Sequence, residues 1–272
     1  MTETYILLNS ELATRPNGQK KLDAEWTFAP PLSLSSKGEF CISLQDFHQE
    51  TAGLLMEVVA NIEVSIDGGL LNWTLICKSL YFDPKSATDL PNQLKQLFEN
   101  IFDHIEQQNV DPPLLKVVGQ SKILQLSGKG FNVRFSLALQ KLLSFPRNYV
   151  DNGEQINAGK VSGIPTVLPV YLTLDDIGNN NCIIPVCHDE VVKHTRFESV
   201  LALIKIAIEL PFERFLVETQ LTPVVVRDRE ISRLRVALRY LETGNVVHTK
   251  GLFDRFSCGL SLTKRLLLLD IV

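Results

Sequence analysis

Two cysteines and two histidines cluster in the second half of the chain, and both residue types bind zinc in proteins. Cys182, Cys187, His188 and His194 have the spacing C-x4-C-H-x5-H. Zinc fingers use the spacing C-x2-4-C with a longer gap to the histidines, so the cluster matches no zinc pattern. A cupin-like metal site would need inward-facing histidines on several strands, and the histidines show no such arrangement. The sequence therefore predicts no metal site and no other cofactor.

Motifs for phosphate binding and nucleophilic catalysis are missing. The sequence contains neither G-x-x-x-x-G-K-[ST] nor G-x-G-x-x-G, and Gly128-Lys129-Gly130 is interpreted as a turn between strands. The nucleophile elbow G-x-S-x-G is also absent. Asp175 and Asp176 are adjacent carboxylates that could serve as general acid and base. Neighbouring residues of a strand point to opposite faces, so the pair is interpreted instead as the start of a turn. We therefore expect a protein that is not an enzyme.

A row of arginines near the C-terminus is a candidate binding surface. Alternation over Ile231–Leu241 predicts a strand with one apolar face and, on the other face, Arg233, Arg235 and Arg239. Such a strip would face nucleic acid or an acidic neighbour, or it would be a solvated sheet face or a charged edge. The net charge of −4 does not favour direct nucleic-acid binding. The three arginines are therefore candidate subunit-interface residues.

The chain ends in an apolar tail, residues 263–272. Its apolar side chains are also candidate subunit-interface residues: Leu266, Leu267, Leu268, Leu269, Ile271 and Val272. Apolar groups of this size must be buried, either on their own domain or on another chain. Addition of the tail as a strand to a neighbouring subunit is one way to bury it. Both alternatives remain open from the sequence.

Composition indicates an ordinary globular protein. The chain has 272 residues, of which 45% are hydrophobic and 21% charged, so it forms one large domain or two small ones. Its five cysteines are odd in number and widely spaced, which favours free thiols in a reducing compartment. The first residues show no basic region followed by a long apolar run, and no stretch of 18 apolar residues exists, so we expect neither a secretory signal nor a transmembrane helix. We expect a protein that is not secreted.

Periodic patterns predict the elements of the first half. Val58–Ile66 alternates with a period of two and forms a hairpin with Leu71–Cys77, whose Leu75 and Cys77 lie on one apolar side. An apolar stripe at helical spacing predicts a helix over Pro91–Gln107. Ser136 is expected to cap a second helix, Leu137–Ser144.

The second half of the sequence is predicted to form mainly strands. Thr166–Leu174 is strongly apolar and is expected to pair with Cys182–Val186, whereas Val200–Leu210 is ambiguous between helix and strand. About ten strands against two helices indicate a mainly β protein, a single jelly-roll β-sandwich with helical insertions. The expected domains are an N-terminal arm (1–24), a jelly-roll domain (25–262) with a helical insertion around 88–145, and the tail (263–272).

Four segments carry a family resemblance. They are ISRLRVALRYLETGNVVHTKG from Ile231 with Phe256–Leu262, LALQKLLSF at Leu137–Phe145, VLPVYLTLDDIGNNNCIIPV at Val167–Val186, and Trp26–Leu44. In this order they resemble segments of the penton-like minor capsid proteins of Polinton/Maverick elements, adintoviruses and virophages. The chain departs from that family's pattern at Ser144, where the family tends to have glycine, and at Ile183-Ile184-Pro185, where it has Pro-Leu-Leu.

The resemblance implies a function in a virus-like shell. It implies a non-catalytic jelly-roll subunit that forms homopentamers at the vertices of an icosahedral capsid in the virion, assembled inside a cell. Its partners would be other copies of itself and a double-jelly-roll major capsid protein. Two jelly rolls need roughly 16 strands, so about ten fit one. The alternative is a cellular β-sandwich module for protein interaction or ligand binding.

Overall fold

The chain divides into two compact units. The computed structural model describes residues 3–18, 20–34, 39–50, 53–66, 73–86, 89–104, 114–118, 123–127, 131–157, 167–175, 177, 182–188, 191–208, 213–226, 229–251 and 255–265. The first unit, called the roll unit, comprises residues 1–54, 166–187 and 192–272. The second, called the insert unit, comprises residues 55–165 and 188–191.

Strands dominate both units. In the described ranges they are β1 Glu3–Asn9, β2 Asp23–Ser33, β3 Glu39–Glu50, β4 Met56–Ile66, β5 Trp73–Phe82, β6 Leu114–Val118, β7 Ile123–Ser127, β8 Phe131–Phe135, β9 Tyr149–Val150, β10 Gln155–Asn157, β11 Val167–Asp175, β12 Cys182–His188, β13 Val191–Glu198, β14 Val200–Ile208, β15 Glu213–Gln220, β16 Val224–Val226, β17 Glu230–Tyr240 and β18 Arg255–Arg265. The helices are α1 Asp89–His104, α2 Leu137–Leu143 and a 3-10 helix, Ser10–Leu12. None of the helices in the described ranges is long and apolar enough to cross a membrane.

The roll unit is a jelly roll. Its four-stranded sheet has the order β1-β18-β3-β16, and its five-stranded sheet has the order β15-β14-β11-β17-β2. The chain crosses between the two sheets at most connections, whereas β11, β14 and β15 follow one another within the five-stranded sheet, and the last strand, β18, pairs with the first, β1. This order is that of two Greek keys wrapped into one sandwich. The predicted mainly β jelly-roll fold is therefore confirmed.

Alternating side chains build the core of the roll unit. From the four-stranded sheet, Ile42, Leu44 and Leu260 are at most 2% exposed, and Leu172 and Val236 of the five-stranded sheet are equally buried. Antiparallel registers such as Leu172↔Leu238 keep the apolar faces of neighbouring strands on the same side. The core therefore follows directly from the period-two pattern of the strands.

The expected N-terminal arm is part of this fold. Residues 3–9 form β1, which pairs with β18 from Glu3↔Thr263 to Asn9↔Ser257. Ile6 and Leu8 are buried while Tyr5 and Leu7 are exposed, so the strand alternates between core and solvent. The prediction of an arm over 1–24 was wrong because this short strand gains its stability from a partner more than 240 residues away.

The insert unit contains the predicted hairpin and both predicted helices. Its sheets have the orders β5-β4-β8-β9 and β10-β7-β6. Leu94 and Leu97 of α1 are buried, and Ser136 caps α2 by accepting a hydrogen bond from Leu139 N at 3.2 Å. The inserted segment is longer than the expected helical insertion around 88–145 and consists mostly of strands. Its hairpin β4–β5 was predicted correctly but belongs to this unit and not to the jelly roll.

The apolar side of β5 differs from the expected one. The register pairs Val58 with Leu80 and Met56 with Phe82, and all four of these side chains are buried. Leu75 and Cys77 lie on the opposite face of β5 from Leu80 and Phe82. Leu75 is 64% exposed, and Cys77 is also exposed. A one-residue shift of phase exchanges the two faces of a strand, so the prediction that Leu75 and Cys77 lie on the apolar side was wrong.

Two other predictions of pairing are resolved by long-range contacts. The segment Cys182–His188 pairs with β13, whereas β11 is flanked by β14 and β17, so the expected pairing of Cys182–Val186 with Thr166–Leu174 was wrong. Val200–Ile208 is a strand because β11 and β15 flank it on both sides. The described ranges hold more strands than the ten expected, and most of the additional ones, β1, β13, β15 and β16, lie in the roll unit.

Candidate assembly surfaces

The arginine row lies on a central strand. β17 is between β11 and β2 in the five-stranded sheet, and Leu234, Val236 and Leu238 on its other face are buried. The predicted division of this strand into an apolar and a basic face is therefore correct. An edge position, which one interpretation of the row required, is excluded by the two neighbouring strands.

Arg239 is bound within its own chain. Its Nη2 lies 2.6 Å from Asp175 Oδ2, its Nε donates to Thr173 Oγ1 at 3.2 Å, and its Nη1 donates to Gly244 O at 3.1 Å. Glu198 Oε2 is 3.9 Å from its Nε. With 17% of the side chain exposed, most of its charge is neutralised inside the unit.

Arg235 is held in the same way, and Arg233 is not. Arg235 Nη2 donates to Asp23 Oδ2 at 3.1 Å, and its Nε is 3.8 Å from Asp175 Oδ2. Asp23 has no exposed side-chain surface, so this pair is largely desolvated. Arg233 is 68% exposed, with its Nη1 3.9 Å from Glu25 Oε1. Of the three arginines, Arg233 is the one placed to contact another molecule.

The carboxylates that bind these arginines lie far away in sequence. Asp23 is 212 residues from Arg235, and Asp175 is 64 residues from Arg239. From the sequence, Asp175 is predicted only as a turn residue, and Asp23 is not among the candidate residues. The one local signal is that Asp23 is a charged residue beside apolar residues at the start of β2. A charged residue that becomes buried requires a partner.

The other candidate residues are placed as follows. The tail residues Leu266, Leu267, Leu268, Leu269, Ile271 and Val272 lie outside the described residues, as do Asp176 and the Gly128-Lys129-Gly130 segment. The side chains of Cys187, His188 and His194 are also outside the described part. Among the described residues, no group of three or more potential ligands surrounds a common metal position, and Cys41, Cys77, Cys182 and Cys258 are free thiols.

One edge of the jelly roll exposes apolar side chains that the sequence analysis did not single out. β1 is the outermost strand of the four-stranded sheet. Tyr5 and Leu7 on its outer face are 54% and 68% exposed, and Leu12 on the following 3-10 helix is 84% exposed. We call these three residues the β1 surface. Large apolar side chains grouped on a sheet edge are typical of interaction sites.

The β1 surface is held firmly against the sheet. Tyr5 Oη donates to Asp46 Oδ2 at 3.2 Å, across β18, and Gly259 of β18 donates its N–H to Asp46 Oδ1 at 2.6 Å. Trp26 Nε1 donates to Asn9 O at 2.8 Å and so fixes the other end of β1. Desolvation and the Asp46 carboxylate raise the pKa of the Tyr5 hydroxyl, which keeps it a neutral donor.

The opposite edge also exposes apolar side chains. β15 is the outermost strand of the five-stranded sheet, and its Leu216 and Val217 are 57% and 40% exposed. Leu216 pairs with exposed Lys205 and Val217 with buried Ile204, so these consecutive side chains point to opposite faces of the strand. Beside them, Lys205 Nζ and Glu218 Oε1 form an exposed ion pair at 2.5 Å, so the charges next to the patch neutralise each other.

The two remaining edge strands are protected. β2 contains Pro30 and Pro31, and β16 has only three residues and follows Pro223. Proline removes a backbone donor and short strands offer few, and both features prevent edge-to-edge association. β1 and β15 contain neither proline nor lysine. Among the described strands of the roll unit, β1 and β15 are therefore the two edge strands without these protective features, one on each sheet.

A polar groove near the β1 surface has no catalytic arrangement. It has a volume of about 450 Å³ and lies where the ends of β1, β3 and β18 meet the 3-10 helix. Ser257 and His48 are cross-strand neighbours there, but no hydrogen bond joins these two described residues. Glu11, the nearby carboxylate, pairs with Arg255 Nη1 at 2.6 Å. A serine without a base is not an activated nucleophile.

Comparison with known proteins found similarity only at the level of solved structures. No family model matches the sequence, and no curated protein matches it. The chain is similar to the mavirus penton protein. The crystal structure of that protein shares 11% identity, and the match covers 96% of this chain and 100% of the penton chain with a TM-score of 0.43. A chain of the Sputnik virophage, from a cryo-EM structure, shares 10% identity over 96% of this chain and 98% of its own, with a TM-score of 0.41.

Proposed function

We propose that this protein is a non-catalytic structural subunit of a virus-like capsid, a penton that forms pentameric vertices of an icosahedral shell. The observation that carries the proposal is the single jelly roll with two open, apolar edges, β1 and β15. A sandwich that leaves both edges open can contact a neighbour on each side, as a subunit of a closed ring must. The segments that resemble penton-like proteins supply the specific assignment.

The partners follow from the same assignment. They are other copies of this chain, as a homopentamer, and a double-jelly-roll major capsid protein at the flanks of the vertex. The proposal includes assembly inside a cell, location in the virion, and relatives among Polinton/Maverick elements, adintoviruses and virophages. Within the candidate interface, exposed Arg233 and the apolar tail 266–272 remain proposed contact residues, whereas Arg235 and Arg239 serve the stability of the roll unit.

The solution mass tests this function. We expect native mass spectrometry and light scattering of the full chain to give five copies in a closed ring, and negative-stain images to show five-fold symmetry. A strict monomer at high concentration that does not bind a co-expressed double-jelly-roll protein would contradict the proposal. That result would instead favour an interaction module of the cellular β-sandwich type.

Deletion of residues 266–272 tests the role of the tail in assembly. If the tail is buried on a neighbouring copy, the truncated chain keeps its circular dichroism spectrum and its thermal transition but loses the oligomer. If the tail is buried on its own roll unit, the truncated chain unfolds at a lower temperature. Replacement of the four leucines by serine in the full-length chain separates the effect of apolar burial from that of chain length.

A further inference from the structure

We propose that the Asn152-Gly153 peptide of the insert unit is a site of spontaneous covalent modification, at which the asparagine side chain cyclises and is converted to aspartate and isoaspartate. The modification does not depend on the proposed function. The sequence contains two Asn-Gly dipeptides, Asn17-Gly18 and Asn152-Gly153. Glycine has no Cβ, so it leaves the backbone nitrogen after the asparagine open to attack the side chain. The sequence marks both dipeptides equally, and the structure distinguishes between them.

The reaction needs only the chain itself and water. The backbone nitrogen of Gly153 attacks Cγ of Asn152, a bond forms between these two atoms, and the Cγ–Nδ2 bond breaks. Ammonia leaves with the proton that the glycine nitrogen loses, so the product of this step is a five-membered cyclic imide. Water then opens the imide. Cleavage of the new Cγ–N bond gives aspartate, and cleavage of the original peptide bond gives isoaspartate, whose main chain runs through Cγ.

Both dipeptides have the open surroundings that ring closure requires. Asn17 and Asn152 are exposed, and so are the glycines that follow them. Both glycines have a positive φ, 95° for Gly18 and 79° for Gly153. A Cβ built on either glycine meets no atom within 4 Å. Exposure and space therefore do not separate the two dipeptides, and a difference in reactivity has to come from their hydrogen bonds.

Hydrogen bonds hold both reacting groups of Asn17-Gly18. The N–H of Gly18 donates to Arg15 O at 3.1 Å, and Nδ2 of Asn17 donates to Asp23 Oδ2 at 2.7 Å. Asp23 has no exposed side-chain surface and also binds Arg235, so its carboxylate is fixed and cannot follow the amide. Ring closure at Asn17 has to break both hydrogen bonds, which slows it by roughly 10- to 100-fold.

The turn that contains Gly153 leaves the N–H of this glycine unused. Residues 151–154 form a turn between β9 and β10, closed by Glu154 N, which donates to Asp151 O at 3.0 Å. Within the described part of the chain, the N–H of Gly153 has no hydrogen-bond partner. The nitrogen that has to lose its proton is therefore accessible to base from the solvent, in contrast with that of Gly18.

The modification changes both the charge and the backbone of this turn. It adds a carboxylate between Asp151 and Glu154, so three of the four turn residues become acidic. Isoaspartate also lengthens the main chain by one carbon, which disturbs the hydrogen bond that closes the turn. Glu154 pairs with Arg147, and this pair is expected to weaken with the turn. The insert unit therefore gains a negative charge and an altered turn without any enzyme.

Peptide mass spectrometry of the full chain after incubation at pH 7 and at pH 9 tests the site. In the folded chain, conversion at Asn152 is expected to be roughly 10- to 100-fold faster than at Asn17, since only Asn17 has to break two hydrogen bonds. Conversion at Asn152 is faster at pH 9, because hydroxide removes the amide proton. Isoaspartate must appear beside aspartate, since the imide opens on either side. In the urea-unfolded chain both asparagines must convert at similar rates.

Two variants complete the test. Asn152→Gln would have to close a six-membered ring, which forms much more slowly, so this variant must lose the modification at the turn while it keeps the circular dichroism spectrum of the wild-type chain. Asn17→Gln is the matched control and leaves conversion at Asn152 unchanged.

Three results would overturn the proposal. They are equal conversion of Asn17 and Asn152 in the folded chain, protection of Asn152 in the folded chain while the unfolded chain reacts, and aspartate without isoaspartate. Faster conversion at Asn152 with both products, and its loss in Asn152→Gln, supports the proposal. The solution mass that tests the proposed function is a separate measurement, so the failure of one is distinguishable from the failure of the other.

Discussion

The backbone N–H of Gly259 donates to Oδ1 of Asp46 at 2.6 Å across the β18–β3 pair. The other oxygen of this carboxylate accepts from Tyr5 Oη, so one side chain joins β1, β18 and β3 on the outer face of the sheet. The strand pairing shifts register directly after Gly259. An added Cβ at Gly259 would overlap Tyr5 Oη and Asp46 Oδ1, so both side chains would have to move and their mutual hydrogen bonds would be disturbed.

Gly259→Ala is therefore expected to destabilise the roll unit by about 1–3 kcal/mol, because displacement of the Asp46 carboxylate weakens its hydrogen bonds to Gly259 N and Tyr5 Oη. Urea unfolding followed by tryptophan fluorescence measures this loss. Tyr5→Ala opens part of the space, so the cost of Gly259→Ala should be smaller in the Tyr5→Ala background. Equal stability of the wild-type protein and Gly259→Ala would show that the close approach is not maintained in solution.

Arg239→Met should destabilise the protein by about 2–4 kcal/mol, because removal of one partner leaves Asp175 buried without its main cation. Arg233→Met on the same face of β17 is the matched control and should cost about 0.5 kcal/mol or less, since its pair with Glu25 is exposed. Both values come from urea unfolding. Similar effects of the two substitutions would contradict the assignment of Arg239 to an internal ion-pair network.

Ser144 is expected to limit the stability of the end of α2. It has a φ of 56°, a left-handed conformation that costs an L-residue about 1–2 kcal/mol. Ser144→Gly removes this cost, but glycine also raises the conformational entropy of the unfolded chain. The net effect should be a stabilisation of the insert unit by about 0.5–1 kcal/mol. Ser144→Val should destabilise it by about 1–2 kcal/mol. Thermal unfolding gives the order Gly, Ser, Val, and any other order contradicts this backbone geometry.

The thiols are expected to differ strongly in reactivity. Burial, with a contribution from Asp46, raises the pKa of the Cys258 thiol to about 12, whereas Cys77 is exposed. Because the thiolate is the reactive form, Cys77 should react with iodoacetamide at pH 8, and Cys258 should remain unmodified even at pH 10. Peptide mass spectrometry measures both, and urea-unfolded protein is the control in which both react. Modification of Cys258 in the folded protein at the rate of Cys77 would contradict its burial.

Local patterns in the sequence predicted much of the secondary structure correctly. The alternation of Val58–Ile66, the apolar stripe of α1 and the cap at Ser136 are all found in the structure. These features depend on neighbours within a few residues, so their physical causes are present in the local sequence. The mainly β jelly-roll class followed from the number and spacing of such patterns.

Pairing between distant segments was decided only by the tertiary structure. Local patterns do not reveal β1 as a strand, because its partner β18 is at the other end of the chain, and Cys182–His188 pairs with β13 and not with the predicted neighbour β11. The same holds for the arginines, since the alternation placed them on one face but gave no information on Asp23 and Asp175. Periodicity determines which side of a strand is apolar, and contacts across the whole chain determine what that side meets. The edge positions of β1 and β15 were likewise decided by the tertiary structure, because a strand is an edge only if the pairing of the other described strands leaves it with one neighbour.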